Sequence, residues 1–535
     1  MKFDYIIIGA GSAGCVLANR LSADPSNQVL LIESGGKDTK LEIHVPAAYS
    51  KLNRTEVDWG FSTEPQKHVL NRRIYLPRGK ALGGSSSINA MAYVRGNAED
   101  YNDWAALGNK GWAYSDVLPY FKKSEHNEQI SDQYHGQGGE LNVTYPKKFR
   151  TPFAEAFVEA CIETGFSDNK DLNGASQEGA GLIQFTIKDQ KRHSGASAFL
   201  KPVMSRPNLK VMIKTQVKRI IVENDKAVGV EVISGKNNTE QIRASKEVIL
   251  SAGAFCSPQI LLLSGIGDAS ELAFQDIKLV KELPGVGKNL QDHLFTGVSA
   301  LSTTQRGQNH NLSAINQVKG LVQYFLTKSG PFTISPLEAL AFGAIDPAKD
   351  TRVDYQLHFV PIQIGDDYKV DMYDTDTFPL IDGYTVLPTL LRPESRGFVG
   401  ITSGNPFDAP VIQPNFLESE NDQQLLLKAT KKAMEVMQTK AFGPHSKKII
   451  TPPDLSSDDA IIHHIKMQLE TVYHPVGTCK MGHDEMAVVN DRLQVHGIEG
   501  LRVVDASIMP NIVSGNTNAP VYMIAEKASD MILGV

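Results

Sequence analysis

The sequence predicts an α/β fold opening on a nucleotide-type βαβ unit, and three observations point there. An apolar, isoleucine-rich run, Asp4-Tyr-Ile-Ile-Ile-Gly9, leads straight into a glycine loop and a helical pattern. A second apolar run, Gln28 to Ile32, ends in an acid. At 535 residues the chain also exceeds one ordinary core, so two intertwined domains or one large domain with insertions is expected.

The first run is short and continuous, as a strand buried on both faces of a parallel sheet must be. Gly9, Gly11 and Gly14 follow in GAGSAG, with Ser12 and Ala13 inside the loop and Cys15, Val16, Leu17, Ala18 and Leu21 marking an apolar helix. The first glycine permits a tight turn, the second lets a pyrophosphate approach the backbone, and the third lets helix and strand pack closely. A phosphate there would meet free amides and the positive helix end. The second strand delivers Glu33, followed by Ser34, where a carboxylate can accept hydrogen bonds from ribose hydroxyls. No second GxGxxG follows another strand, so one dinucleotide is expected, and this pattern does not choose between NAD and FAD.

Composition narrows the function. With 41% apolar and 21% charged residues, a net charge of −6 and a pI near 6.2, the chain lacks the basic footprint of a nucleic-acid binder. Cys15, Cys161, Cys256 and Cys479 are scattered, so reduced thiols are expected. The run Phe3 to Gly9 ends in a glycine loop rather than a cleavage site, and Val248 to Ile266 is broken by Gly253, Pro258 and Gly265. A soluble, cytoplasmic protein is expected, with peripheral membrane contact left open. His463-His464 has no partner set with metal-ligand spacing and reads as the solvated face of a helix, so no metal is expected.

Four further segments resemble the glucose-methanol-choline (GMC) oxidoreductases, which use FAD. They are Arg78 to Tyr93, Gly253 to Gly267, Leu283 to His293, and the region from Tyr473 through Asn518 to Ile524. The resemblance is strongest to bacterial choline dehydrogenases and aliphatic alcohol dehydrogenases, and about Gln305 to Ser456 carries little of it. It implies that Gly84, Ser85, Asn89, Ala90, Met91 and Ala92 line the flavin, that Val217, in a strand from Lys210 to Ile221, meets the adenine through its backbone, and that Asp505 and Ala506 lie near the ribityl chain. The serine-rich loop Gly83 to Asn89 suits diphosphate through its exposed amides and hydroxyls. Some family members tether FAD through a histidine in this loop. Here Ile88 stands at that position, so non-covalent FAD is expected.

Alcohol oxidation needs a group that takes the hydroxyl proton while the α-hydrogen leaves as hydride to flavin N5, and an imidazole serves near neutral pH. The segment Tyr473-His-Pro-Val-Gly-Thr-Cys-Lys-Met-Gly482 resembles the one that carries the family's active-site histidine, which makes His474 the expected base. Pro475 biases His474 towards an extended backbone and Gly477 permits a close turn. The second family position aligns best with Asn516, an amide able to donate to an alkoxide; Asn518 is its rival. Thr517 and Asn518 are then flavin-ring contacts, with a helix from about Pro520 to Met531 directing its positive end at the flavin. Asp292-His293 matches a family motif and reads as structural.

The expected architecture is a discontinuous Rossmann-like FAD-binding domain, 1-155, 200-305 and 460-535, with an α+β substrate domain on an antiparallel sheet, 156-199 and 306-459. The expected activity is oxidation of a small primary alcohol to its aldehyde, with electrons passed to a quinone or similar acceptor. The alternatives are an oxidase that uses O2 and makes H2O2, a choline dehydrogenase and, more distantly, an FAD-containing hydroxynitrile lyase. Glu338 could face a quaternary ammonium, but no tryptophan lies nearby in sequence to build a cage, which favours neutral alcohols.

Overall fold

The computed structural model describes residues 2–235, 238–346, 348, 350 and 352–534. Its first sheet has the order Leu209–Met212, Val29–Ile32, Lys2–Ile8, Asn238–Leu250, Lys226–Ser234, Thr215–Glu223, with Leu501–Val503 also paired to Asn238–Leu250. The pairs around Lys2–Ile8 are parallel, and the two long strands after Met212 add an antiparallel extension. Ile6, Ile7, Ile8 and Val29 to Ile32 are all buried, as the uninterrupted apolar runs require. The parallel strands end together: Gly9 N donates to Ile32 O, Ser251 N to Ile8 O, and Val504 N to Leu250 O, each at 2.8 Å. Gly9, Glu33, Ser251 and Asp505 therefore share one edge, the carboxyl edge where such sheets bind ligands.

The helix Ser12–Leu21 follows the glycine loop and packs along the last helix, Asn518–Leu533. Arg20 joins them through Glu526 at 2.6 Å and reaches Glu140 as well. The single strand expected from Lys210 to Ile221 is two strands. Lys214 takes a left-handed φ of 52°, so Leu209–Met212 runs parallel to Val29–Ile32 while Thr215–Glu223 turns into the antiparallel pair.

The second sheet is antiparallel, in the order Ser446–Thr451, Val298–Ser302, Gly383–Leu390, Tyr355–Val360, Ala339–Gly343, Gly179–Leu182. Leu294–Phe295 pairs with Gly383–Leu390 and with Glu470–Thr471. Period-two alternation gives its two faces different tasks. Leu357, Phe359, Tyr384 and Val386 enter a core with the helices Pro152–Glu163 and Glu420–Met437. Their neighbours His358, Val360, Thr385 and Leu387 face a cavity between the sheets.

His464 departs from the expected solvated helix face. In Asp458–Gln468 its neighbour His463 is exposed, but His464 is buried with Nε2 2.9 Å from Gly297 O and Nδ1 3.1 Å from the Tyr368 hydroxyl. It is a core histidine that ties the helix to the second sheet. Among the described residues no helix is long and apolar enough to cross a membrane.

The glycine loop divides packing from access. A Cβ on Gly14 would sit 1.9 Å from Gly9 O, whereas one on Gly11 would find its nearest neighbour, Ser251 O, at 4.0 Å. Gly14→Ala is therefore expected to destabilise the apoprotein by about 1–3 kcal/mol through overpacking, and Gly11→Ala to leave its thermal melt unchanged. Equal melts for the two apo variants would contradict this division.

Candidate active site

A cavity of about 460 Å³ runs from the glycine loop to the inner face of the second sheet. Of the residues expected at the site, Gly9, Gly11, Ser12, Ala13, Glu33, Ser34, Gly84, Ser85, Asn89, Ala90, Met91, Ala92, Val217, Asp505, Ala506, Thr517 and Asn518 line it, as do His474 and Asn516. Gly14 does not line it; it lies behind the loop, against Gly9.

The dinucleotide end is built from backbone. The first helix has Gly11 as N-cap with no side-chain cap, so its leading amides keep their donors and the positive helix end is uncovered. Gly84, at φ 52°, closes on the glycine loop so tightly that a Cβ there would meet Gly11 Cα at 2.7 Å. Only one of the three loop serines faces the cavity. Ser86 Oγ donates to Gly83 O and Ser87 Oγ to Leu82 O, so these two hydroxyls hold the loop and Ser85 lines the space. Glu33 accepts from Ala10 N and Gly35 N, both at 2.8 Å, and burial pushes its carboxyl up to about 7. Asp505 caps the turn Ala506–Ile508 through Ser507 N and also accepts from Gly253 N at 2.9 Å and Ser257 Oγ at 2.6 Å. It ties the segment Gly253 to Gly267 to the C-terminal one.

The other end holds a pair of linked imidazoles. His293 Nε2 lies 3.0 Å from Leu391 O, which can only accept, so this nitrogen carries a proton. Burial pushes the His293 imidazole down to about 3, and the ring is therefore neutral with a lone pair on Nδ1. That lone pair meets His474 Nδ1 at 3.0 Å, so the His474 proton sits on Nδ1. Burial also holds His474 well below its ordinary value, leaving Nε2 as a bare acceptor on the cavity. Asn516 Nδ2 stands 3.3 Å from it, while Asn516 Oδ1 is buried without a protein partner.

Backbone geometry fixes this chain. Asp292 Oδ1 accepts from His474 N at 2.8 Å and from His293 N at 2.9 Å, and burial pushes its carboxyl up to about 7 against the pull of Arg78. Arg78 Nη2 donates to Tyr473 O at 2.6 Å, and Tyr473 takes a left-handed φ of 64°, costly for an aromatic residue. Gly477, at φ 91°, would meet Asn289 O at 2.4 Å with a Cβ. His293, Asp292 and Arg78 were thus readable as motif residues, but no linear spacing joins them to His474. Asn518 lies elsewhere, at the start of the last helix, where its Oδ1 accepts from Ser12 Oγ at 2.7 Å.

Two further groups bear on the substrate. Glu338 lines the cavity, but Thr151 N and Oγ1 both donate to its carboxylate, and burial pushes it up to about 7. Trp59, remote in sequence, also lines the cavity; its ring face is taken by Lys80 Nζ, 4.1 Å from the centroid. Away from the cavity, Asp132, His135 and Asp171 come close together. Desolvation opposes the charged form of His135, but hydrogen bonds with Asp171 and Glu125 outweigh it and raise the imidazole to about 9.

The GMC oxidoreductase family models match residues 3–295 and 393–525. The chain is 44% identical over 537 residues to an alcohol dehydrogenase [acceptor] of Pseudomonas putida, spanning 99% of this chain and 96% of that one. It is 40% identical over 544 residues to the mitochondrial choline dehydrogenase of Mus musculus, spanning 100% and 90%. Among solved structures, pyridoxine 4-oxidase from Mesorbium loti superposes with a TM-score of 0.89 at 29% identity over 98% of both chains. The fold, the cavity and these relatives agree: the chain belongs to the GMC oxidoreductase family, flavin enzymes that act on CH–OH donors.

Proposed function

We propose that the protein oxidises a small neutral primary alcohol to its aldehyde, with His474 as the base, dissociable FAD as the cofactor and a quinone or similar molecule as the electron acceptor. The observation that carries this reading is His474 in the cavity wall, its Nδ1 3.0 Å from His293 Nδ1 and its Nε2 3.3 Å from the Asn516 amide nitrogen. The cavity residues suit FAD: open space over Gly11, uncapped helix amides and an unpartnered buried hydroxyl on Ser251. When bound, FAD supplies the hydride acceptor at flavin N5.

The chain's own residues then do three things. His474 Nε2 accepts the hydroxyl proton, and its Nδ1–H stays on His293 throughout, so the ring cannot rotate away. The Asn516 amide donates to the oxygen as negative charge develops there. The second sheet contributes Val360 and Leu387, which keep water away from the reacting carbon. Glu338 is committed to Thr151, which supports a neutral substrate over a quaternary ammonium. For the domains, the proposed division remains 1-155, 200-305 and 460-535 against 156-199 and 306-459, with the strands 294–302 and 470–471 lending their pairing to the second sheet.

Ile88 lines the cavity at the position where a tether would form, and its side chain offers no nucleophile. Acid precipitation of the yellow protein is expected to release intact FAD into the supernatant; flavin retained in the pellet would contradict the reading. Gly11→Val should fold and fail to hold FAD.

Anaerobic mixing with a panel of alkanols, benzylic alcohols and choline tests the chemistry. Flavin bleaching by neutral alcohols is expected, slowed by ~10²-fold or more in His474→Ala with FAD retained, and slowed less in Asn516→Ala. The reduced protein should be reoxidised faster by a quinone than by air. No bleaching by any alcohol would favour a lyase, and bleaching unaffected by His474→Ala would remove the proposed base.

A further inference from the structure

The helix Ala314–Thr327 presents an uncovered apolar face. Ile315, Val318, Val322, Phe325 and Leu326 are all exposed, Ile315 by 70% and Leu326 by 79%. At 3.6 residues per turn these five fall within an arc of about 100°. Gly320 and Tyr324 on the opposite side are buried, and the Tyr324 hydroxyl donates to Gln190 O at 2.9 Å, so the helix is anchored by its inner face. Leu380 and Ile381, also exposed, extend the patch: Asn309 Nδ2 donates to Pro379 O at 2.8 Å and His310 N to Asp382 Oδ1 at 2.9 Å, just before the helix begins. Five large apolar side chains on one exposed arc are more than the scattered surface residues of an ordinary monomer.

Charge identifies the occupant. From Gln305 to Leu337 the chain has no Asp or Glu and three cations, Arg306, Lys319 and Lys328, in a protein of net charge −6. Lys319 falls at the edge of the apolar arc. An apolar helix face flanked by lysine, with no acid on the helix, is the pattern of an element that lies in the headgroup layer of an anionic bilayer. The same helix borders the cavity through Gln317, with Leu312 just before it and Phe332 just after it also lining the space.

We propose that the helix Ala314–Thr327 docks the protein on an anionic lipid surface and sets the cavity mouth at the hydrocarbon boundary. Apolar substrates and, on the functional reading above, a lipid-soluble electron acceptor then reach the site from the bilayer. Docking itself is a property of the surface and does not depend on which alcohol is oxidised.

Co-sedimentation of the FAD-bound protein with vesicles of phosphatidylglycerol and phosphatidylcholine tests it, beside pure phosphatidylcholine vesicles. The protein is expected to pellet with the anionic vesicles, to release at high salt, and to lose at least ~10-fold of its partitioning in Val318→Gln/Val322→Gln/Leu326→Gln. Reduction of a water-soluble dye should be the same in the variant and its parent. If the parent shows no dye reduction, the functional reading fails while the vesicle result still stands. Absence of vesicle binding, or binding unaffected by the triple substitution, overturns the proposal. So does a vesicle-free dimer that the substitution dissociates, which would assign the face to a second copy of the chain.

Discussion

The active end of this molecule depends on one buried hydrogen-bond chain that starts at a backbone carbonyl. Leu391 O can only accept, so it assigns the proton on His293 Nε2, which leaves Nδ1 of that ring as an acceptor and assigns the proton on His474 Nδ1. Burial keeps both rings neutral, and the lone pair of His474 is thereby delivered to the cavity. In a solvated pair either tautomer would be open to both rings. Here the interior removes water as a competing partner and a fixed carbonyl sets the sense of the whole chain.

The two sheets explain why the chain sits where it does. The parallel strands of the first sheet bring Gly9, Glu33, Ser251 and Asp505 to one edge, with the uncapped helix end above them. The second sheet closes the opposite side and supplies His358, Val360, Thr385 and Leu387 by simple alternation, its other face being filled by aromatic and aliphatic side chains under two helices. Asp292 lies between these halves. One carboxylate oxygen accepts the amides of His293 and His474, residues far apart in sequence, and so sets the spacing of the imidazoles. Positioning of this kind acts through backbone, and the left-handed Tyr473 and Gly477 lie on either side of His474.

Much of the dinucleotide half was legible because its chemistry is local. Strand, glycine loop, helix and acid follow one another within 33 residues, and Gly9 and Gly14 have steric reasons visible in the structure, while the space over Gly11 is open. The antiparallel sheet of the other half was expected only through family resemblance, since its strands lie far apart in sequence and cavity-facing Thr385 and His358 look like ordinary strand residues. Three readings failed for the same physical reason, that tertiary contacts override local pattern. The break at Lys214 splits one expected strand into two, His464 is buried against Gly297 and Tyr368, which it could not be seen to meet, and Trp59 arrives at the cavity from far along the chain. The link from His293 to His474 was likewise hidden, because a hydrogen bond across 181 positions leaves no spacing to read.

The tautomer of His474 tests this account most directly. Long-range ¹⁵N–¹H correlation on protein labelled at histidine nitrogen, compared with His474→Ala to assign the ring, distinguishes a protonated from an unprotonated nitrogen. The account predicts a neutral His474 with its proton on Nδ1 and an unprotonated Nε2, with the reverse pattern, Nε2 protonated and Nδ1 bare, appearing for His293. A proton on His474 Nε2 in the resting protein would contradict it, since the lone pair aimed at the cavity would not exist.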